Sequence, residues 1–164
     1  MRKRAEIVFF AGLMAACFTL SGWASRPFQK APDFSLPRLK GGPSVELSKI
    51  TQNDPVLLIF WATWCPTCVE EIPALNALHK KHAFGGLRLL AVNVQESPEM
   101  LLDFIKTHPM SYPILLDQTG EVAEKYKIEG LPVSVLLAKG GEILYYGFSL
   151  PGNLDELLET RRMT

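Results

Sequence analysis

The apolar and polar positions of this chain fall into short segments of two kinds. Val56 to Ala62 (Val-Leu-Leu-Ile-Phe-Trp-Ala) is an unbroken apolar run behind Pro55, the pattern of a central strand buried on both faces. Leu87 to Val94 is a second such strand and Ile114-Leu115-Leu116 a shorter third. Val133 to Ala138 and Glu142 to Gly147 flank Lys139-Gly140-Gly141 and predict a hairpin. Asp33 to Leu36 and Ser44 to Leu47 alternate apolar with polar residues around Gly41-Gly42-Pro43, a short amino-terminal hairpin. Elsewhere the period is helical. Val69, Ile72, Leu75 and Leu78 stand three apart on one stripe, with Pro73 predicting a kink. Ser97-Pro98 supplies an N-cap and a first-turn proline before Leu101, Leu102, Phe104 and Ile105, the predicted buried face. Short helices are expected from Thr119 or Gly120 to Tyr126 and from Pro151 to Arg162. The order β-β-β-α-β-α-β-α-β-β-α puts parallel crossovers first and an antiparallel hairpin last. That is the α/β class, a mixed sheet flanked by helices.

Length and composition leave room for one domain and a leader. The 164 residues are 48% hydrophobic, enough for a core that needs no disulfide scaffold. Formal charge is zero, but the first 26 positions hold four basic residues and one acid, leaving 13 basic and 16 acidic side chains beyond them. A mildly acidic domain without a basic run is a poor match for nucleic acid. Arg2, Lys3 and Arg4 followed by the 14 apolar residues Ile7 to Leu20, with Gly22 and Ala24 before Ser25, read as an export signal. Two further readings stay open. The uncharged run of 18 residues from Ile7 to Ala24 is just long enough for an uncleaved anchor, and Met14-Ala15-Ala16-Cys17 is similar to a lipoprotein box. Each route puts the domain outside the cytoplasm, in the periplasm or at the outer face of the membrane, soluble or anchored. Any membrane contact then runs through the amino-terminal segment. The expected division is 1–24 signal or anchor, 25–31 linker and 32–164 domain.

Beyond the leader only Cys65 and Cys68 remain. A bridge over so short a loop adds little stability, because the entropy it removes grows with loop length. A zinc site needs two more ligands, and His79, His82 and His108 are not arranged as a second pair; no metal and no cofactor are expected. A redox dithiol fits better. Cys65 follows a buried strand where a helix begins, with Pro66 in the first turn, so unpaired N–H groups and the helix dipole favour its thiolate. Cys65 is then the attacking sulfur and Cys68, one turn further, the resolving one.

Phe60-Trp61-Ala62-Thr63-Trp64-Cys65-Pro66-Thr67-Cys68, followed by Glu70-Glu71-Ile72-Pro73, resembles the active-site segment of the TlpA/ResA/CcmG branch of the thioredoxin superfamily. Ala31-Pro32-Asp33-Phe34 is similar to that family's domain start and Gly130-Leu131-Pro132 to its cis-proline loop. The resemblance spans residues 31–160. It implies a thioredoxin-like fold with an extra amino-terminal β-hairpin, an exposed Cys65 and a buried Cys68 joined as a redox-active disulfide, and a cis bond at Pro132. It also implies a Leu131 backbone free to pair with an extended substrate. Trp64 is expected to shield the dithiol and form substrate surface, while Trp61 and Phe60 are packing. Many cytoplasmic thioredoxins carry a buried acid where this chain has Ile59. Glu96, in Asn93-Val94-Gln95-Glu96-Ser97, resembles a glutamate beneath the dithiol that exchanges protons with it; a solvated glutamate ahead of the Ser97 helix is the competing reading.

The resemblance also implies direction and partners. A membrane thiol carrier of the CcdA/DsbD kind would keep the dithiol reduced, and the dithiol would reduce client protein disulfides, for example the Cys-x-x-Cys-His site of apocytochrome c. Oxidants such as DsbA carry an inserted helical domain for which this chain has no room. A thiol peroxidase is the rival enzyme, but the residue three before Cys65 is Ala62, where peroxiredoxins need a conserved threonine. A copper chaperone of related fold requires a Cys-x-x-x-Cys spacing, and a redox-inert binding module is the last alternative.

Overall fold

In the computed structural model, residues 30–82 and 86–160 are described. The expected leader, Cys17 included, lies outside them, as does the chain beyond Thr160. No helix among the described residues is long and apolar enough to cross a membrane.

The fold is organised by β3 (Val56–Trp61), buried at all six positions. Side chains alternate across a strand, so Leu57, Ile59 and Trp61 enter one apolar cluster while Val56, Leu58 and Phe60 enter another. One strand thus floors two cores, which is why its sequence lacks a polar alternation. β4 (Arg88–Val94) pairs parallel with it from Val56↔Arg88 to Trp61↔Asn93, and β5 (Ile114–Asp117) continues parallel on β4. On the other side β6 (Val133–Leu137) is antiparallel to β3, and β7 (Ile143–Gly147) is antiparallel to β6. The order β5-β4-β3-β6-β7 is the expected mixed sheet, and β1 (Ser35–Leu36) with β2 (Val45–Glu46) forms the separate antiparallel pair.

The helices are α1 (Leu47–Thr51), α2 (Pro66–Lys81), α3 (Pro98–Thr107), α4 (Glu121–Lys125) and α5 (Leu154–Thr160). Several differ from the sequence pattern. Leu47 opens α1, a five-residue turn absent from the expected order, instead of ending a strand. α2 carries Pro73 inside its 16 residues, where the sequence places it. On α3 only Leu101 is fully buried; Phe104, its ring centroid 5.8 Å from that of Trp61, and Ile105 are half-buried, and Leu102 is exposed. Lys30 and Ala31 are not free linker: Lys30 bridges Glu142, and the Ala31 N–H donates to Gly141 O at 2.8 Å.

Strand direction sorts the molecule into two edges. β3 and β4 end at one edge, where β6 begins and β7 stops. The amino-terminal chain joins β7 at the opposite edge, about 20 Å away along six residues of strand.

Candidate active site

β3 delivers the dithiol at the first of these edges. After Trp61 the chain turns, the Cys65 N–H donating to Ala62 O at 3.3 Å, and Cys65 becomes the N-cap of α2 in extended conformation (φ −93°, ψ 105°). Pro66, lacking an N–H that the first turn would leave unpaired anyway, starts the helix. The Cys68 N–H donates to Cys65 Sγ at 3.2 Å. This places the sulfur among the free N–H groups at the positive end of a 16-residue helix, a setting that favours an anionic sulfur. Cys65 and Cys68 are joined in a disulfide, with Cα atoms 5.3 Å apart.

The expected contrast between an exposed Cys65 and a buried Cys68 is absent from this disulfide state: they are 4% and 3% exposed. Both cysteines belong to the cluster that holds Ile59, Trp61, Ile72 and Leu136. What distinguishes them is the cap position and the hydrogen bond received by Cys65. Ile59 is 2% exposed in the same cluster as both cysteines, so the position expected to distinguish this chain from many cytoplasmic thioredoxins is apolar and buried. Trp64, beside Cys65, is 70% exposed.

The Leu131-Pro132 bond is cis. Phe60 pairs with Val133, so Pro132 falls opposite Trp61 at the foot of the elbow that carries Cys65. Leu131 is half-buried between the two apolar clusters. Among the described residues no backbone hydrogen bond holds its N–H or carbonyl.

Glu96 reaches the elbow from β4. Gln95 takes a left-handed conformation (φ 59°), which turns the chain sharply after the strand and sends the next side chain inward. Glu96 is 8% exposed, so the solvated alternative does not hold. Its Oε2 accepts from the Thr63 N–H at 2.8 Å and from Asn93 Nδ2 at 2.6 Å, and its Oε1 meets the Thr63 hydroxyl. An amide N–H can only donate, whereas a hydroxyl donates or accepts. Oε1 is therefore the oxygen whose partner accommodates a proton. Thr63 and Asn93 were not singled out by the sequence pattern; the Thr63–Glu96 pair is 33 residues apart in the chain, beyond any local signal.

Glu71 is a second carboxyl that spacing alone did not mark as chemical. It is half-buried on α2, three residues past Cys68 and thus on the same helix face. Burial pushes its carboxyl up from the ordinary value of 4.5. Its Oε2 is buried and has no hydrogen-bond partner among the described residues. Its charge also helps burial raise the Tyr112 phenol. The three-residue step from Cys68 along an otherwise apolar stripe was the available signal.

Comparison with known proteins bears on this arrangement. The model of the AhpC/TSA family matches residues 27–146. The chain is 32% identical to thiol-disulfide oxidoreductase ResA of Bacillus thuringiensis subsp. konkukian (strain 97-27) over 116 residues, 71% of this chain and 66% of that protein. It therefore spans just under two thirds of that relative's length. Among solved structures, a thiol-disulfide oxidoreductase from Bacteroides fragilis superposes with a TM-score of 0.65 at 34% identity, covering 78% of this chain and 98% of the other. StoA from Bacillus subtilis gives 0.65 at 28% identity, covering 80% and 97%. With the family model spanning most of the chain, and the cysteine elbow and cis-proline loop both inside the matched span, this protein belongs to the AhpC/TSA family and, within it, to the thioredoxin-like proteins of ResA type.

Proposed function

We propose that the protein is an extracytoplasmic thiol-disulfide oxidoreductase that reduces disulfides in client proteins. The observation that carries this reading is Cys65 at the N-cap of α2, its sulfur receiving the Cys68 N–H and bonded to Cys68 Sγ. In the reduced protein, the Cys65 thiolate attacks one sulfur of a client disulfide. A mixed disulfide forms and the client's other sulfur leaves as thiolate. Cys68 then loses its proton, attacks Cys65 Sγ and releases the second client thiol. Two electrons have passed to the client, and the Cys65–Cys68 disulfide remains. A client segment lying extended beside Leu131 would pair with its unheld backbone, with Trp64 forming part of the contact surface and Pro132 supporting the loop. Glu96 or Glu71 is the acceptor for the Cys68 proton.

The amino-terminal pattern supports export, and an exported dithiol that reduces clients needs electrons from the cytoplasm, which a membrane thiol carrier of the CcdA/DsbD kind would supply. The Cys-x-x-Cys-His site of apocytochrome c is a client of suitable chemistry. A peroxidase needs no resolving thiol two residues away, and its threonine position is Ala62.

Turbidimetric insulin reduction with dithiothreitol tests the activity. The wild type should accelerate precipitation and Cys65→Ser should not; equal rates would remove the proposal. Cys68→Ser should stall the mixed disulfide on Cys65, so that mass spectrometry of the trapped adduct identifies the client.

A further inference from the structure

Four large apolar side chains stand exposed among the described residues: Trp64 at 70%, Phe148 at 65%, Met100 at 55% and Leu102 at 44%. Three of them ring the dithiol from three different connections. Trp64 precedes Cys65. Met100 lies in the first turn of α3, its Sδ 4.0 Å from the Thr63 hydroxyl on the elbow. Phe148 follows the end of β7, and a Cβ placed on Gly130 would lie 3.6 Å from its Cε1, so its ring stands over the loop leading to Leu131. In the sheet order β4-β3-β6-β7 these sites spread across three strand spacings, about 15 Å. That is the length of four or five residues of extended chain.

Acids outnumber bases around this edge. Residues 59–72, 93–105, 117–124, 128–136 and 146–153 build most of it and contain no Lys, Arg or His, while the exposed Lys106, Lys125 and Lys127 adjoin these segments, Lys106 pairing with Asp103 at 3.0 Å. The segments contribute exposed Glu70, Glu99, Asp103, Glu121, Glu124 and Glu129. Glu129 adjoins the loop under Phe148, Glu99 adjoins Met100, and Glu70 follows Cys68 by two residues. Apolar side chains exposed to this degree around a reactive centre, within a predominantly acidic margin, are the features of a recognition surface.

We infer that this edge selects extended client segments that carry a bulky apolar residue beside the reacting cysteine and basic residues further out, with Phe148 and Met100 as specificity-determining contacts. The inference rests on the oxidoreductase reading and deepens it by naming the substrate class. Trp64 and Leu131 would hold any extended client; Phe148 and Met100 decide which flanking side chain fits, and the acidic margin sets the charge that approaches.

The test uses the full chain kept reduced by dithiothreitol, three peptide disulfides and bis(2-hydroxyethyl) disulfide as a reference. The peptides carry leucine flanks with lysines, leucine flanks with glutamates, or serine flanks with lysines. The leucine–lysine peptide should have the highest kcat/KM, and its advantage over the leucine–glutamate peptide should shrink as salt rises. Phe148→Ala should cut the leucine-over-serine preference about fivefold through KM, Met100→Ala should act in the same direction, and Phe148→Leu should retain the preference. Equal rates on the three peptides, a salt-independent ranking, or a preference untouched in Phe148→Ala each overturns the inference. Sedimentation showing a dimer that Phe148→Ala dissolves also overturns it, assigning the patch to a second copy of the chain. If the wild type reduces not even the small disulfide, the oxidoreductase reading falls and the inference with it.

Discussion

In the proposed exchange, resolution of the mixed disulfide needs a group that takes the Cys68 proton, and two carboxyls are candidates for that place. Glu96 is clamped by the Thr63 N–H and Asn93 amide on one oxygen and by the Thr63 hydroxyl on the other; Glu71 is half-buried with one oxygen unpartnered. Replacing the acting carboxyl by an amide removes a like charge from the neighbourhood of the thiolate. Glu96→Gln is therefore expected to lower the pH midpoint of Cys65 alkylation by about half to one unit. A midpoint unmoved in Glu96→Gln but shifted in Glu71→Gln would transfer the role to Glu71. Glu71 also makes a prediction about stability. Its carboxyl is pushed up by burial, so charging it costs more in the folded than in the unfolded state. The stability linked to its neutral form is complete below the ordinary 4.5 and is lost as pH rises through the raised folded value. Thermal melts should show Glu71→Gln gaining on the wild type as pH climbs from acidic to neutral. A gap that stays constant with pH contradicts this.

Elements differ in how their ends are held, and the difference decides what a local pattern reveals. α3 begins with Ser97, whose hydroxyl accepts the Met100 N–H at 3.3 Å, and Pro98; both signals are adjacent in the sequence. α4 is capped from a distance. Asp117, 1% exposed at the end of β5, accepts the Val122 N–H at 3.2 Å and the Ala123 N–H at 2.8 Å. Gly120 makes the intervening turn with φ 79°, where a Cβ would press on Gln95 Nε2 at 2.8 Å. Asp117→Ala leaves two buried N–H groups unpaired and should cost about 2–4 kcal/mol in denaturant unfolding, with α4 exchanging its amide protons faster than α2. A loss under about 0.5 kcal/mol would mean water replaces the carboxylate. The same contrast explains which parts of the site were legible. β3, the Cys65–Pro66 helix start and the Gly130-Leu131-Pro132 loop are continuous segments whose chemistry is written in consecutive residues. α1 lacks a side-chain cap and runs only five residues, so nothing local announces it. The clamp on Glu96 joins two strand ends 33 residues apart and exists only once β3 and β4 are in register. The burial of Cys65 at 4% exposure is a property of the packed fold that residue types do not specify.

At the scale of the whole molecule, charge and chain path bear on the direction of electron flow. The amino-terminal chain joins the sheet at the edge opposite the dithiol, so a tether there would leave the reactive edge free to meet both an electron donor and a client. The segments nearest the dithiol carry acids, with Lys106, Lys125 and Lys127 only at their margins. A dithiol of this fold becomes a strong oxidant when its reduced form, a thiolate at the helix start, is stabilised. Every thioredoxin-like Cys65 gains from the helix dipole; what varies is the charge around it. Here Glu70, Glu99 and Glu129 are exposed on the segments around the elbow; in the proposed reductant their charge would oppose a thiolate, favour the neutral disulfide and make the dithiol the better electron donor. Equilibration with glutathione or dithiothreitol buffers, read by alkylation of the free thiols, should place the Cys65–Cys68 couple below about −180 mV, on the reducing side of protein disulfide isomerase. Converting Glu70 and Glu129 together to glutamine should raise that potential, and added salt should raise it in the wild type by screening the same charges. A wild-type value near about −120 mV, that of the oxidant DsbA, would reverse the assigned direction while leaving the exchange chemistry at Cys65 intact.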